Sequence, residues 1–323
     1  MAVRFGVFVP QGWRLDLVEI RDPVEQFEAM TAVAQAVDAN PAYDSVWLYD
    51  HFHTVPQPAL LTTFECWTAT ATLARDTTRV HIGQMVGCAG YRSPALYAKI
   101  ASTVDVASHG RLYAGIGAGW YEQEWRAYGY EWTDTPTRMR RFREAVQIID
   151  AMWTETYPTF AGEHYRIDRP INEPKSAEAG RKIPLWIGGG GEQVTLKLVA
   201  RYGDACNING DSATIRHKLE VLRGHCEKVG RNYDEIIKSA QVRIHLIEPG
   251  DDPETATADY RGTHYPWERY QSDHLIGTID QVRAEVERLR ADGIDYVNIY
   301  IARAAYEPQL VQYVSDEVVR QHT

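Results

Sequence analysis

The stretch Asp44-Ser-Val-Trp-Leu-Tyr-Asp50-His51-Phe-His53 decides the fold. Its centre, residues 46–49, is a short apolar run without polar alternation, which is typical of a strand buried on both faces of a parallel sheet. Asp50 and His51 follow at once and are predicted to stand at the carboxyl end of that strand. Parallel α/β folds collect their chemistry at these strand ends. The stretch therefore predicts a parallel sheet with a polar site at its edge.

Further apolar runs alternate with helical patterns on both sides of this stretch. The eight predicted strands cover residues 3–9, 46–49, 79–86, 111–116, 184–187, 204–208, 239–247 and 296–301. Such alternation predicts an α/β fold, the (β/α)8 TIM barrel, with an open doubly wound sheet as the alternative. No repeat or linker divides residues 1–323, so we expect one domain with insertions at about 155–182 and 248–276. Both insertions are predicted to be irregular, the first as a hairpin and loop.

The totals exclude several classes of function. The chain has 323 residues, 44% of them hydrophobic and 24% charged, with a net charge of -10. That charge argues against a general nucleic-acid or anionic-membrane surface. Four widely spaced cysteines form no C-x-x-C pair, which favours reduced thiols in a cytoplasmic protein. We expect no signal peptide and no membrane helix.

Gly188-Gly-Gly-Gly191 lies between a predicted strand and a helix expected over residues 192–200. Successive glycines let the backbone approach a ligand closely, and the N–H groups at a helix start favour an anion. Gly188, Gly189, Gly190 and Gly191 are therefore predicted to hold a phosphate. The alternative is a flexible strand exit that binds nothing.

A second glycine run, Gly115-Ile-Gly117-Ala-Gly119-Trp120, has the spacing G-x-G-x-G and no predicted helix directly behind it, which argues against a dinucleotide fingerprint. We interpret Gly117 and Gly119 as leaving space for a flat ring system, with Trp120 lining that space. A tight turn with a packed tryptophan is the alternative. The nearby acids Glu122 and Glu124 are predicted to be solvated.

His51 is the first candidate for exchanging a proton with a substrate, with Asp50 fixing the ring or a cofactor. Zinc is disfavoured because no third ligand accompanies His51 and His53 at a recognisable spacing. The small-residue run Met85-Val-Gly-Cys88 is predicted to press against a ring, and Cys88 is interpreted as a pocket or packing residue because the sequence supplies no base for it. The arginines within residues 138–143 form the polar side of a helix, from which one could reach an anionic tail.

Four stretches together resemble the luciferase-like oxidoreductase superfamily, and particularly its actinobacterial branch that uses the deazaflavin coenzyme F420. They are Val46-Trp-Leu-Tyr-Asp-His-Phe52, residues 83–95, Gly110-Arg-Leu-Tyr-Ala-Gly-Ile-Gly-Ala-Gly-Trp120 and Pro184-Leu-Trp-Ile-Gly-Gly-Gly-Gly-Glu192. The resemblance covers nearly the whole chain. It implies a barrel, often dimeric, with the deazaflavin at the carboxyl ends of the strands.

The resemblance also implies roles for individual residues. Asp50 and His51 would border the deazaflavin and the substrate, and a non-prolyl cis peptide within Met85, Val86, Gly87 and Cys88 would support the back of the ring. The glycines at 188–191 match the phosphate loop. Trp13, His53 and Trp267 are candidates for contacting the substrate, the last because the aromatic stretch 264–270 suggests a lid over an apolar or aromatic ligand.

One departure from the family pattern concerns the substrate. The sugar-phosphate dehydrogenases of the superfamily carry a catalytic glutamate where this chain has Trp120, and indole cannot transfer a proton in that role. Our leading hypothesis is an F420-dependent oxidoreductase that passes a hydride between the deazaflavin C5 and another small organic substrate. The alternatives are an FMN-dependent monooxygenase that consumes oxygen and needs a partner reductase, and a barrel that binds coenzyme without catalysis.

Overall fold

A ring of eight parallel strands forms the centre of the computed structural model, which describes residues 2–322. The described residues contain twelve strands, and the ring consists of β1, β2, β3, β5, β8, β9, β10 and β12. In chain order the strands are β1 (Arg4–Phe8), β2 (Ser45–Leu48), β3 (His81–Gln84), β4 (Gly87–Cys88), β5 (Leu112–Gly117), β6 (Thr159–Ala161), β7 (Arg166–Asp168), β8 (Leu185–Gly188), β9 (Ala205–Asn207), β10 (Ile237–Leu246), β11 (Leu275–Gly277) and β12 (Tyr296–Ile301).

The helices connect the strands in chain order. They are α1 (Pro23–Ala39), α2 (Cys66–Asp76), α3 (Pro94–Ala107), α4 (Glu122–Ala127), α5 (Thr135–Thr154), α6 (Thr195–Tyr202), α7 (Ser212–Val229), α8 (Pro253–Ala256), α9 (Ala258–Arg261), α10 (Trp267–Asp273), α11 (Ile279–Ala291) and α12 (Gln309–Glu317).

The ring closes because β12 pairs with β1 and with β10. From β1 the pairing runs through β2, β3, β5, β8 and β9 to β10, always in parallel register. β4 continues beyond β3 and pairs with β5, while β11 pairs with the end of β10. This closed (β/α)8 barrel confirms the predicted fold class, and each barrel strand lies within two residues of its prediction.

Aromatic side chains fill the barrel interior. Trp47 packs edge-on against Trp186 with ring centroids 4.6 Å apart, and Trp186 packs against Tyr296 at 5.0 Å. The neighbouring strands make room for Trp47 with glycine, since a Cβ at Gly6 or Gly83 would lie within 2.4 Å of the indole. The barrel is therefore solid at this level.

Three local predictions about helices were wrong. The second insertion contains the short helices α8, α9 and α10 instead of irregular chain, and α4 follows the second glycine run where we expected a long loop. The helix after Gly191 begins at Thr195, because residues 192–194 form a turn. The first insertion does carry a hairpin, formed by β6 and β7.

Two further observations concern the described residues alone. Within residues 2–322, no helix combines the length and apolar character that crossing a membrane requires. The four cysteines are buried and unpaired.

Candidate active site

A cavity of about 480 Å³ opens at the carboxyl ends of the barrel strands. Residues that line the cavity belong to, or follow, every barrel strand except β12. The fold brings these residues together because the carboxyl ends of all barrel strands lie at one face. The lining residues are Trp13, Arg14, Tyr49, Asp50, His51, Val55, Met85, Val86, Gly87, Cys88, Tyr91, Gly117, Ala118, Gly119, Trp120, Tyr121, Gly188, Gly189, Thr195, Asn207, Asn209, Gln241, Arg243, Arg269 and Asp273.

Asp50 anchors the loop beyond β3. Its carboxylate is completely buried and accepts two hydrogen bonds from Arg92, at 2.6 and 3.1 Å, and one from the Cys88 N–H at 2.8 Å. Arg92 also pairs with Glu65 at 2.5 Å. A carboxylate with these partners positions the surrounding backbone, and it has little capacity left for proton transfer.

His51 lies between aromatic rings at the cavity wall. Its imidazole stacks on Trp13, with ring centroids 4.2 Å apart and planes 3° from parallel. The rings of Trp120 and Tyr121 meet it edge-on at 5.7 and 6.0 Å. Its Nδ1 lies 2.9 Å from Oε2 of Glu124. The ring is thus held by stacking and by one carboxylate.

Glu124 is buried, and the prediction that it is solvated was wrong, whereas Glu122 is exposed as expected. The Glu124 carboxylate accepts hydrogen bonds from His51, from the Tyr91 hydroxyl and from the N–H groups of Phe52 and His53. Burial alone would raise the pKa of Glu124, but these bonds bring its pKa below the ordinary value. Glu124 is therefore ionised at neutral pH.

An ionised Glu124 fixes the tautomer of His51. A carboxylate accepts hydrogen bonds and donates none, so the imidazole carries a proton on Nδ1. The other ring nitrogen, Nε2, is left to exchange a proton or to bond a ligand. Glu124 and His51 form a carboxylate–imidazole pair of the kind used in general acid–base catalysis.

The sequence contains a signal for Glu124 that our interpretation missed. Tyr121, Glu124, Trp125 and Tyr128 follow the spacing i, i+3, i+4, i+7, so the acid shares one helix face with three aromatic residues. Tyr121 and Trp125 are buried. A carboxylate on an apolar helix face needs buried partners, and His51 supplies one.

The back of the cavity is built from Val86 and two glycines. The peptide bond between Met85 and Val86 is cis, inside the segment that the resemblance implied. A Cβ at Gly117 would lie 2.6 Å from a Val86 methyl, and one at Gly188 would lie 2.8 Å away. The lack of a side chain at Gly117 and Gly188 thus leaves space for Val86, and not directly for a ring as we had interpreted for Gly117. Val86 itself lines the cavity.

Gly119 serves the packing of Cys88 in the same way, because its Cβ would lie 2.7 Å from Sγ. Gly119 also has a φ of +80°, which favours glycine. The Cys88 thiol is buried, and burial raises its pKa. It is therefore a poor nucleophile and lines the cavity as a packing residue, in agreement with the sequence-based interpretation.

The loop at 188–191 contributes unequally to the cavity. Gly188 and Gly189 line it together with Thr195, the first residue of α6, whereas Gly190 and Gly191 lie outside the lining. Gly189 has a φ of +115°, a conformation that few other residues adopt. The backbone and hydroxyl donors around this turn suit a phosphate oxygen.

Two of the three proposed substrate contacts do not line the cavity, whereas Trp13 does. His53 lies against the ring of Tyr128, and Trp267 lies beneath the guanidinium of Arg261. The second insertion reaches the cavity through Arg269 and Asp273 of α10 instead. Its contribution to the lining is charged, not aromatic.

The structure also adds residues that the sequence interpretation did not single out. Arg14, Tyr49, Gln241 and Arg243 bring polar groups to the cavity from β1, β2 and β10. Among residues 2–322, no group of three or more His, Cys, Asp or Glu side chains is arranged to hold a metal ion. The site therefore offers an imidazole, arginines and aromatic walls to an organic ligand.

Comparison with known proteins identifies the family. The model described as luciferase-like monooxygenase matches residues 3–295. An F420-dependent glucose-6-phosphate dehydrogenase of Kineococcus radiotolerans is 31% identical over 252 residues, covering 73% of this chain and 69% of that protein. An FMNH2-dependent dimethylsulfone monooxygenase of Pseudomonas fluorescens is 27% identical over 259 residues, covering 70% and 69%.

Solved structures show the same fold. An F420-dependent secondary alcohol dehydrogenase in complex with an F420-acetone adduct has a TM-score of 0.78 at 19% identity, with 98% of this chain and 99% of that chain covered. The oxygenating constituent of 3,6-diketocamphane monooxygenase from Pseudomonas putida, in complex with FMN, has a TM-score of 0.75 at 16% identity and covers 100% and 99%. By its sequence and its barrel, this chain belongs to the luciferase-like monooxygenase family.

Proposed function

We propose that this protein is a coenzyme F420-dependent oxidoreductase that transfers a hydride between the deazaflavin C5 and a small organic substrate. Relatives in the family are named for F420 and for FMN alike. The choice between the two coenzymes therefore needs an observation on the residues of this chain. A basic groove beside the glycine loop supports F420.

The basic groove is a depression of about 460 Å³ between α5, α6 and α7. Four arginine and lysine side chains, one histidine and no acidic side chain line it, although the whole chain carries a net charge of -10. The lining residues are Arg143, Gln147, Gln193, Val194, Lys197, Leu198, Arg201, Tyr202, His225, Lys228 and Val229. Within residues 2–322, no carboxylate pairs with its arginines or lysines.

The groove adjoins the candidate phosphate loop. Thr195 lines the cavity, while Val194 and Lys197 line the groove, so the first turn of α6 separates the two. F420 carries a phosphodiester that continues into a tail of carboxylate-bearing glutamates, whereas FMN ends at its phosphate. The positive charge of the groove supports binding of the part of F420 that FMN lacks. Arg143 belongs to the arginine cluster within residues 138–143, from which the sequence suggested that one arginine could reach an anionic tail.

The protein residues would orient the ligands and handle the proton. F420, when bound, supplies or accepts the hydride at C5. His51 would donate or accept a proton at Nε2, with Glu124 holding Nδ1. Trp13, Trp120 and Tyr121 would exclude water around the imidazole. Because Trp120 stands where related sugar-phosphate dehydrogenases carry an acid, we propose a substrate other than a sugar phosphate.

A titration with three coenzyme forms tests this proposal. Purified protein is titrated at one salt concentration with F420, with F420 whose glutamates have been removed, and with FMN, and binding is followed by fluorescence or calorimetry. We expect F420 to bind most tightly and its affinity to fall with salt and with loss of the tail. Tighter binding of FMN, with oxygen uptake during turnover, would support the monooxygenase alternative instead.

Removing two charges from the groove gives a sharper test. The change Arg201→Gln with Lys228→Gln should weaken F420 binding by about fivefold at low salt, or about 1 kcal/mol, which is the order expected for exposed ion pairs. It should leave the binding of tail-free F420 unchanged. The matched control is Arg166→Gln with Arg320→Gln, which removes two exposed arginines outside the groove.

A further inference from the structure

Three guanidinium groups line one part of the cavity. Arg14 follows β1, Arg243 belongs to β10, and Arg269 belongs to α10 of the second insertion. Asp273 is the carboxylate that accompanies them in the lining. The other acidic lining residue, Asp50, is already paired with Arg92. This part of the cavity therefore carries an excess of positive charge.

Arg14 is buried without a carboxylate at hydrogen-bond distance, although its guanidinium also interacts with the Tyr49 hydroxyl. Only 7% of its surface is exposed, and its Nε has no hydrogen-bond partner. Its Nη1 lies 3.5 Å from the Tyr265 hydroxyl and 4.0 Å from Oδ2 of Asp273, which are weak or absent hydrogen bonds. The indole N–H of Trp13, directly beneath the guanidinium, is also buried and unpartnered. Donors left unpaired in this way are costly in the free protein.

Asp273 is too heavily engaged to serve Arg14. Its Oδ2 accepts from the Tyr265 hydroxyl at 2.6 Å and from Nε of Arg269 at 2.9 Å. Asp16 lies two residues along the chain from Arg14, but its carboxylate accepts from the Gly12 N–H and the Tyr300 hydroxyl. The described carboxylates nearby are thus committed to other donors.

Arg243 also contacts Asp273. Its Nε donates to the backbone oxygen of Asp273 at 2.6 Å, and its Nη2 lies 3.7 Å from Oδ1. Burial and the neighbouring Arg14 lower the pKa of Arg243. Two guanidiniums held beside one cavity, with one occupied carboxylate between them, form the arrangement that recognises an oxyanion by paired hydrogen bonds.

We propose that Arg14 and Arg243 form a subsite for a carboxylate carried by the substrate. The inference rests on the proposed function, because the subsite shares the cavity with the coenzyme and with His51. It specifies the substrate class as a small alcohol or carbonyl compound that bears a carboxylate. Arg269 is already hydrogen-bonded to Asp273, so it adds positive charge to the subsite without binding the carboxylate of the substrate directly.

Matched small probes test the subsite on the wild-type protein. With the coenzyme-binding site first saturated by F420, benzoate, benzamide and phenyl phosphate are titrated and followed by calorimetry. We expect benzoate to bind at least tenfold more tightly than benzamide. Equal binding of the two would overturn the proposal, and tighter binding of phenyl phosphate than of benzoate would overturn the assignment to a carboxylate.

Variants assign the effect to residues. Arg14→Gln and Arg243→Gln should each reduce the preference for benzoate at least tenfold, while the control Arg320→Gln should keep it. A preference that survives both substitutions would overturn the proposal. Because F420 binding is measured on the same samples, loss of the anion preference with intact coenzyme binding is distinguishable from failure of the proposed function.

Discussion

Replacing Glu124 with glutamine isolates the contribution of the carboxylate to the site. In the wild type, Oε1 accepts from the backbone N–H groups of Phe52 and His53, and Oε2 accepts from His51 and from Tyr91. A glutamine amide can keep the Oε1 bonds but presents an NH2 group in place of Oε2. Facing a donor, His51 would have to accept at Nδ1 and carry its proton on Nε2.

This change of the His51 tautomer sets the expected effects on stability, on kcat and on coenzyme affinity. Hydrogen bonds to a charged group contribute about 1.5–3 kcal/mol and neutral ones about 0.5–1.5 kcal/mol, so four weakened bonds, offset by relief of a buried charge, should cost about 2 kcal/mol of unfolding free energy. Loss of the correct tautomer should lower kcat by about 100-fold, the lower range for general acid–base catalysis. Coenzyme affinity should change by less than about twofold, because Glu124 is not among the residues that line the cavity.

Steady-state turnover, F420 titration and urea unfolding measure these three quantities. Glu122→Gln is the matched control, since Glu122 is exposed and its one ion pair within residues 2–322 is with Arg126, at 2.8 Å. The unfolding free energy of this control should lie within about 0.5 kcal/mol of the wild-type value. Because the pKa of Glu124 is below its ordinary value of 4.5, its stabilising effect is complete above that pH and is lost as the pH falls through the lowered pKa. The stability gap should therefore narrow in acid. Wild-type turnover in Glu124→Gln would refute the reasoning.

Three further predictions concern stability and packing. Asp50→Asn should cost about 3 kcal/mol in urea unfolding, because it leaves the largely buried Arg92 without its bidentate partner; a loss below about 1 kcal/mol would contradict that role. Burial raises the pKa of Asp16 from 3.8 to about 6, so the unfolding free energy of the wild type should decrease as the pH rises from about 4 to about 6. Asp16→Asn should therefore be about 3 kcal/mol more stable than the wild type at pH 7 and no more stable at pH 4, which urea unfolding at the two pH values measures. Gly117→Ala should cost about 1–3 kcal/mol by clashing with Val86, and adding Val86→Ala should recover most of the loss.

The fold was accessible from the sequence because its signals are local. Apolar runs without polar alternation, separated by helical patterns, place each barrel strand within two residues of its observed position. The same logic located Asp50 and His51 at one strand exit and Gly188 and Gly189 at another, the end of β8. These residues do line one cavity, because the carboxyl ends of parallel strands meet at one face of a barrel.

The hydrogen-bond partners of those residues were harder to predict from the sequence, because burial of a polar side chain depends on which residues pack over it. Glu124 lies in a six-residue helix with one other acid, the exposed Glu122, and the approach of residues 51–53 turns Glu124 into a buried acceptor. Trp267 resembled a ligand contact by its aromatic surroundings, yet the orientation of α10 directs Arg269 and Asp273 to the cavity instead.

By itself, the sequence determined the barrel, the strand ends that carry the site and the imidazole of His51 in the cavity wall, since each of these depends on residue type and spacing within one element. Only the tertiary structure decided which charges face one another. Arg14 and Arg243 are 229 positions apart and Glu124 is 73 from His51, so pairing and burial across such separations follow from closure of the barrel and not from any local pattern.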